Sequence, residues 1–303
     1  MEMDKKALIE KTKSHLDELC SKIGERRVGS EGNRRATAYP KKILDENGWQ
    51  TESTELSVID WKTDGATLVC VDNSFEVFPS HYSLGCAVNS VLIAIDTISK
   101  LEQANIDGKL VLLHGEIAFQ QIAPKKFPFW NPEEHQNFIS VLEKGNPAAL
   151  ICATERDSAL AGGVYPFPLF EDGDFDIPSV YMKDTEGEKL LIYAGQQAKL
   201  ISKAERIPES AYNVIGRKNV HEKNRIVITA HIDTKIDTPG AIDNGTGVAI
   251  ILILSELLRE YSGTYSLELA LFNGEDYYGA PGQVKYVEQN FGKFGDILLT
   301  RVY

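Results

Sequence analysis

An α/β fold, a sheet with helices on its faces and a second, mostly β unit inserted into it, is predicted by three features of the 303-residue sequence. From about residue 206, strand-like apolar runs alternate with helical segments. Between about 58 and 205, short apolar runs follow one another across Gly, Pro, Asn and Asp. Before residue 57, apolar residues recur at helical spacing.

The elements follow in order. Leu8, Leu16, Leu19 and Ile23 fall near one helical face, so residues 4–24 read as an amphipathic helix. "GERRVGSEGN" is a Gly-punctuated loop. "RRATAYPKKILDENGWQ" resumes helical character and stops at Asn47-Gly48, with Pro40 inside it either starting this second helix or kinking it. "TESTELSVI" alternates as a strand does. In the next region "ATLVCV", "SVLIAI", "KLVLLHG", "AALICA" and "IPSVYM" read as strands of a mostly β unit with one or two helices. "FPFWNPEEHQNF" and "GGVYPFPLFEDGDFDIP" read as long aromatic, Pro-rich loops, the type of segment that often binds. Finally "AYNVIG", "RIVITA", "SLELALF" and "DILLTRVY" read as strands, with "TGVAIILILSELLREY" and "APGQVKYVEQNF" as the helices between them.

Composition narrows the function. The sequence is 43% hydrophobic and 25% charged, as in ordinary globular proteins, and its formal net charge is −12. Such an acidic surface argues against nucleic acid or an anionic membrane as partner. Cys20, Cys70, Cys86 and Cys152 lack CxxC spacing and read as reduced, mostly buried thiols. The charged N-terminal segment has no apolar core of a leader, and "VAIILILSELL" is too short to span a bilayer. A cytoplasmic location is expected.

The chemistry gathers where two strands end. "RIVITA" leads into His231 and Asp233, with Asp243 following a Gly-containing loop; "SLELALF" leads into "NGED", which carries Glu275 and Asp276. Ligands in open α/β sheets collect at the carboxyl ends of strands. Taken singly, each residue has a plainer role. His231 could be a satisfied core histidine, and Asp243 the cap of the helix that follows. Glu275-Asp276 could be a solvated pair, and Asp237 in "DTPG" is a turn residue. Together, if the strands are neighbours, imidazole and carboxylates at one spot suit Zn²⁺ or a similar divalent ion.

"AHID", "GAIDNGTGVA" and "FNGEDYYGAPGQ", in that order, resemble the zinc exopeptidases of the M28 type, the two-zinc aminopeptidases. "IGERRVGSEGNRRATAYPKKILDENGW" is similar to their N-terminal segment. "IDGKLVLLHG", "GNPAALICA" and "IPSVYMKDTEGEKL" resemble the protease-associated (PA) insert that many of them carry. The resemblance implies a zinc-exopeptidase-like mixed sheet flanked by helices, with residues 1–57 as its N-terminal helical segment. Residues 58–205 would be the PA-like insert and 206–303 the α/β core, incomplete at its C-terminus. By position, His231 would bind one zinc, Asp243 would bridge both, and Asp276 would bind the second. Asp233 would accept a hydrogen bond from His231, and Glu275 would be the general base. The implied activity is hydrolysis of N-terminal peptide bonds with two zinc ions as cofactor and a peptide as substrate.

The sequence departs from the family at one point. Two further ligands are wanted after "GED": an aspartate leaving the next strand and a later histidine. Asp296 stands at that strand's entry, and His15, His81, His114 and His135 lie in other segments. The expectation is a shortened chain with two ligands per metal, weak or absent metal binding, an exposed apolar sheet edge and impaired activity. Two other functions are carried alongside. One is a non-catalytic peptide- or protein-binding role for the insert, through loops around Trp130 and Phe167. The other is a cyclase closing N-terminal glutamine on the same fold.

Overall fold

The computed structural model describes residues 5–157, 159, 164–222 and 224–290, and the backbone of 297–301. By contact density the chain divides into two compact units: residues up to Asp60 together with those from Pro208 onward, and Trp61–Ile207.

Helix α1 (Lys5–Leu16) runs into a wider π-helical turn, Asp17–Ile23, whose Leu19 is wholly buried. Helix α2 (Glu31–Glu46) begins at Ser30, whose hydroxyl accepts the Asn33 N–H at 3.0 Å. It ends at Gly48, whose positive φ (+70°) a side chain would strain. Pro40 neither starts nor ends a helix: it lies inside α2. It shares the buried stripe of Asn33, Ala36, Thr37 and Leu44, so burial of its ring offsets the hydrogen bond that proline cannot donate. Strand β1 (Gln50–Cys70) follows and enters the second unit.

In the second unit come β2 (Asn73–Phe75), β3 (Phe78–Pro79), β4 (Cys86–Ile95), α3 (Ile98–Gln103), β5 (Leu110–Leu113), α4 (Glu133–Gly145), β6 (Ala149–Thr154), β7 (Ser179–Lys183) and α5 (Asp184–Leu190). β4, β5, β6 and β7 pair in parallel, in that order, and β3 joins β7 antiparallel. Every residue of β5 and β6 is buried, with apolar clusters on both sheet faces. Continuous apolar runs of this kind belong to parallel strands covered on both sides. Three helices are described here, where the sequence suggested one or two. The difference is α4, which takes up the second half of an expected loop. It starts directly after Pro132 with Glu133 and Glu134 in its first turn and buries His135, Phe138, Ile139 and Leu142 at helical spacing. Of the two aromatic residues proposed as a binding surface, Phe167 is buried, while Trp130 is 55% exposed.

Strand β8 (Gln197–Lys218) pairs with β4 through residues 197–202. Its later residues, 214–218, pair antiparallel with β10 of the first unit (Ser266–Phe272). Between them lie β9 (Arg225–His231) and α6 (Thr246–Leu257); α7 (Pro281–Asn290) and β11 (Ile297–Arg301) follow. The first unit's sheet runs β11-β9-β10-β8 and is mixed: β9 is parallel to both β10 and β11. One face packs Val214, Ala230, Leu267, Leu269 and Leu271 against Leu19, Ala36, Leu44 and the α6 residues Val248, Ile251 and Leu252. The other packs Ile215, Val227, Ala270 and Phe272 with Tyr286 of α7. β11 is an edge strand; its side chains, and Asp296 at its entry, lie outside the described residues. No helix among the described residues is long and apolar enough to cross a membrane.

Candidate metal centre

β9 and β10 are neighbours, parallel, with His231 opposite Phe272. Their carboxyl ends therefore open side by side. Residue 231 closes one strand, and Asn273 to Asp276 leave the other.

His231 is buried, and its Nε2 lies 2.8 Å from Asp243 Oδ1 and 4.0 Å from Glu275 Oε2. Its Nδ1 lies 3.1 Å from the main-chain oxygen of Asp233, and 3.6 Å from that residue's carboxylate. The tautomer-setting contact thus goes to the Asp233 carbonyl rather than to its carboxylate, because the carboxylate is engaged elsewhere. Asp233 Oδ1 accepts the N–H groups of Gly274 (2.8 Å) and Glu275 (3.3 Å), and Oδ2 accepts that of Asp276 (2.9 Å).

Asp243 does not cap α6. Asn244 does so instead, its Oδ1 accepting the Gly247 N–H at 2.9 Å. With the capping role filled, the Asp243 carboxylate turns back to His231; the peptide bond between the two residues is cis. Asp237 sits in a turn at φ +60°. Its N–H bonds Glu25 Oε2, so it is a bend residue and not a site residue. Other histidines are engaged away from this point: His15 with Tyr39, His81 with Glu171, and His135 with the Ala123 N–H.

Electrostatics bind the group together. Burial alone would lower the pKa of His231, but the Asp233 carboxylate beside Nδ1, the hydrogen bond to Asp243 and the further negative charge of Asp276 push it up to about 11. Asp276 is pushed up to about 7, first by burial and then by the charge of Asp233. Asp243 is held below the ordinary carboxylate value by its hydrogen bond to His231.

Ligand atoms of His231, Asp243 and Asp276 all lie within 4.8 Å of one another, the one such donor group among the described residues. One imidazole nitrogen and two carboxylates form a donor set that fits Zn²⁺, and three protein ligands are what a catalytic zinc ordinarily has.

Residues 213–294 match the model of peptidase family M28. The match lies in the later stretch of the first unit. Among relatives of this chain, the probable lipoprotein aminopeptidase LpqL of Mycobacterium tuberculosis is 26% identical over 278 residues. That match covers 88% of this chain and 51% of the relative. Aminopeptidase YwaD of Bacillus subtilis is 27% identical over 121 residues, 40% of this chain and 26% of its own length. This chain thus spans about half the length of the mycobacterial relative. Among solved structures, an aminopeptidase from Aneurinibacillus sp. strain AM-1 superposes with a TM-score of 0.72 at 20% identity, covering 96% of this chain and 69% of that one. The zinc aminopeptidase BSAP of Bacillus subtilis gives 0.71 at 17%, covering 95% and 67%. At these identities the structures speak for the fold: a mixed α/β sheet flanked by helices.

The polar groups that hold the candidate site were not legible as such. Asn244 was hidden by the aspartate before it. Buried Asn33 donates to Asn273 Oδ1 at 2.6 Å, and Asn273 donates to Thr37 Oγ1 at 2.9 Å, which ties α2 to the segment carrying Asp276. The signal available was "GSEGN", a polar run that the resemblance picked out without a role.

Proposed function

We propose that this chain carries the site of a metal-dependent aminopeptidase. The observation that supports it most is the meeting of His231, Asp243 and Asp276 within 4.8 Å, with the Glu275 carboxylate 4.0 Å from His231 Nε2. The names of both curated relatives point the same way.

His231, Asp243 and Asp276 would hold zinc, with Asp243 shared if two ions bind. Bound there, zinc would polarise a scissile carbonyl and lower the pKa of a coordinated water. Glu275 acts as the general base: its carboxylate takes a proton from water and delivers it to the leaving amine. Asp233 fixes the main chain of the Glu275 and Asp276 segment, and its carbonyl orients the His231 ring. Carboxylates around the mouth favour a substrate whose α-amino group is free and positively charged. We assign residues 58–205 to the PA-like insert on the strength of the sequence resemblance. We also propose a cytoplasmic location; the mycobacterial relative is named a lipoprotein, which supports an envelope-anchored alternative, and cell fractionation separates the two.

The test is a zinc titration of the protein beside His231→Ala and Asp243→Ala, followed by assay on peptides with free and acetylated N-termini. Zinc binding lost in both variants, with cleavage of the free peptide alone, supports the proposal. Binding that survives both substitutions, or no zinc-dependent cleavage, sinks it.

A further inference from the structure

His231 is fixed by strand pairing, but Asp243 stands twelve residues further on, beyond a segment, 232–240, with no regular structure. Something must hold that segment if the two side chains are to meet. The Arg26 side chain lies inside it. Wholly buried, its guanidinium is hydrogen-bonded to five main-chain carbonyls. Nε donates to Ile232 O (2.9 Å), and the terminal nitrogens donate to Pro239 O (2.7 Å) and Gly240 O (2.9 Å). Leu19 O (3.1 Å) and Gly24 O (3.0 Å) complete the set, and the Arg26 N–H donates to Thr234 Oγ1 at 2.9 Å.

The first carbonyl lies one residue after His231, and Pro239 and Gly240 lie three to four residues before Asp243. One side chain therefore ties both ends of the segment together and fastens them to residues 19–24. The fit is close: a Cβ on Gly240 would come within 2.8 Å of the guanidinium and 2.1 Å of Thr234 Cγ2. Gly240 O also accepts the Gly245 N–H at 2.9 Å, which continues the tether to the start of α6. A planar fork with five donors can serve all five acceptors at once; an ammonium, with three donors, cannot.

We propose that Arg26 is the positioning residue of the metal centre: it closes the 232–240 segment and so sets Asp243 against His231. The link to metal rests on the proposed metallopeptidase reading; the link to the segment does not.

The experiment compares wild type with Arg26→Lys in two measurements. The first is amide hydrogen exchange of the metal-free proteins. The expected result is at least ~10-fold faster exchange at Gly245 and Gly247, whose N–H groups are bonded within the tethered region, with the β9 and β10 amides unchanged. Acceleration spread evenly over the strands, or none at Gly245 and Gly247, overturns the proposal, since even acceleration is what mere loss of global stability gives. The second is zinc affinity by chelator competition, expected to fall at least ~10-fold in the folded variant. Affinity equal to wild type also overturns it. A wild type that binds no zinc overturns the metallopeptidase reading, while the exchange pattern still decides the role of Arg26. If Arg26→Lys does not fold, Thr234→Val, which removes only the acceptor of the Arg26 N–H, is read at the same two amides. Selective acceleration there supports the proposal, and its absence overturns it.

Discussion

The Asp233 carboxylate holds the main chain of Asp276 at 2.9 Å, joining the exit of one parallel strand to the exit of the next. Because the same carboxylate also takes the Gly274 and Glu275 N–H groups, it shapes the whole segment that carries Glu275 and Asp276. Asp233→Asn replaces one acceptor oxygen by an NH₂ group that faces N–H donors. A loss of about 1.5–3 kcal/mol is expected in a denaturant melt, the range for hydrogen bonds to a charged group. Zinc affinity should fall about 10–100-fold, as for other outer-sphere partners of a metal site.

Glu275→Gln keeps the size of the side chain and removes its basicity. Peptide cleavage should drop by about 10²–10⁴-fold, the usual worth of a general base, with zinc affinity within a few-fold of wild type. Stopped assays beside chelator competition separate the two. Equal loss of metal and activity would show that Glu275 serves as a ligand instead.

Metal binding must displace protons. The pKa values of His231 and Asp276 both lie above their ordinary values in the metal-free protein, and ligands bind metal in their deprotonated forms. Zinc affinity should therefore rise with pH from 6 to 8, and binding should release more protons at pH 6 than at pH 8, as Asp276 ionises across that range. Calorimetry in buffers of different ionisation enthalpy measures the count. A pH-independent affinity would contradict the assignment.

Asn244 and Asp243 are neighbours with separable tasks. Asn244→Ala removes the cap of α6 and should cost about 1 kcal/mol of stability. Asp243→Ala leaves the cap in place and should abolish zinc binding while shifting the melt less. Thermal melts and zinc titration of both variants test the division.

Glu268 is wholly buried in β10 between Arg217 Nε (2.7 Å) and an Arg225 terminal nitrogen (3.0 Å), and it accepts the Tyr286 hydroxyl. Removing one member strands the rest. Glu268→Ala should cost about 3–5 kcal/mol in a denaturant melt, without altering the metal centre at the strand ends.

Much of this was readable in the sequence because the patterns were local. Fully buried β5 and β6 show as unbroken apolar runs, and the α6 run "TGVAIILIL" shows as a buried helix. The site residues stood out because they follow two strands directly. Reading failed where a residue's role depends on partners far along the chain. Whether Asp243 or Asn244 caps α6 is decided by His231, which offers the aspartate a better partner. Pro40 reads as a break until its ring is seen to lie on the buried stripe of α2. Helix α4 was missed for a different reason: its periodicity was present but overshadowed by the aromatic, Pro-rich residues before it.

The first unit is made of two stretches of chain with residues 61–207 between them. Arg26 reaches its acceptors on the later stretch across 206 to 214 residues of sequence. During synthesis, then, the helices up to residue 46 emerge long before β9 and β10 exist to cover them. The inserted unit, whose strands are contiguous in sequence, is able to form first. Contacts this distant close slowly, and waiting apolar faces invite aggregation. The order of assembly follows: residues 61–207 early, the first unit late, and the group of His231, Asp243 and Asp276 last of all, once the two stretches of the first unit have met.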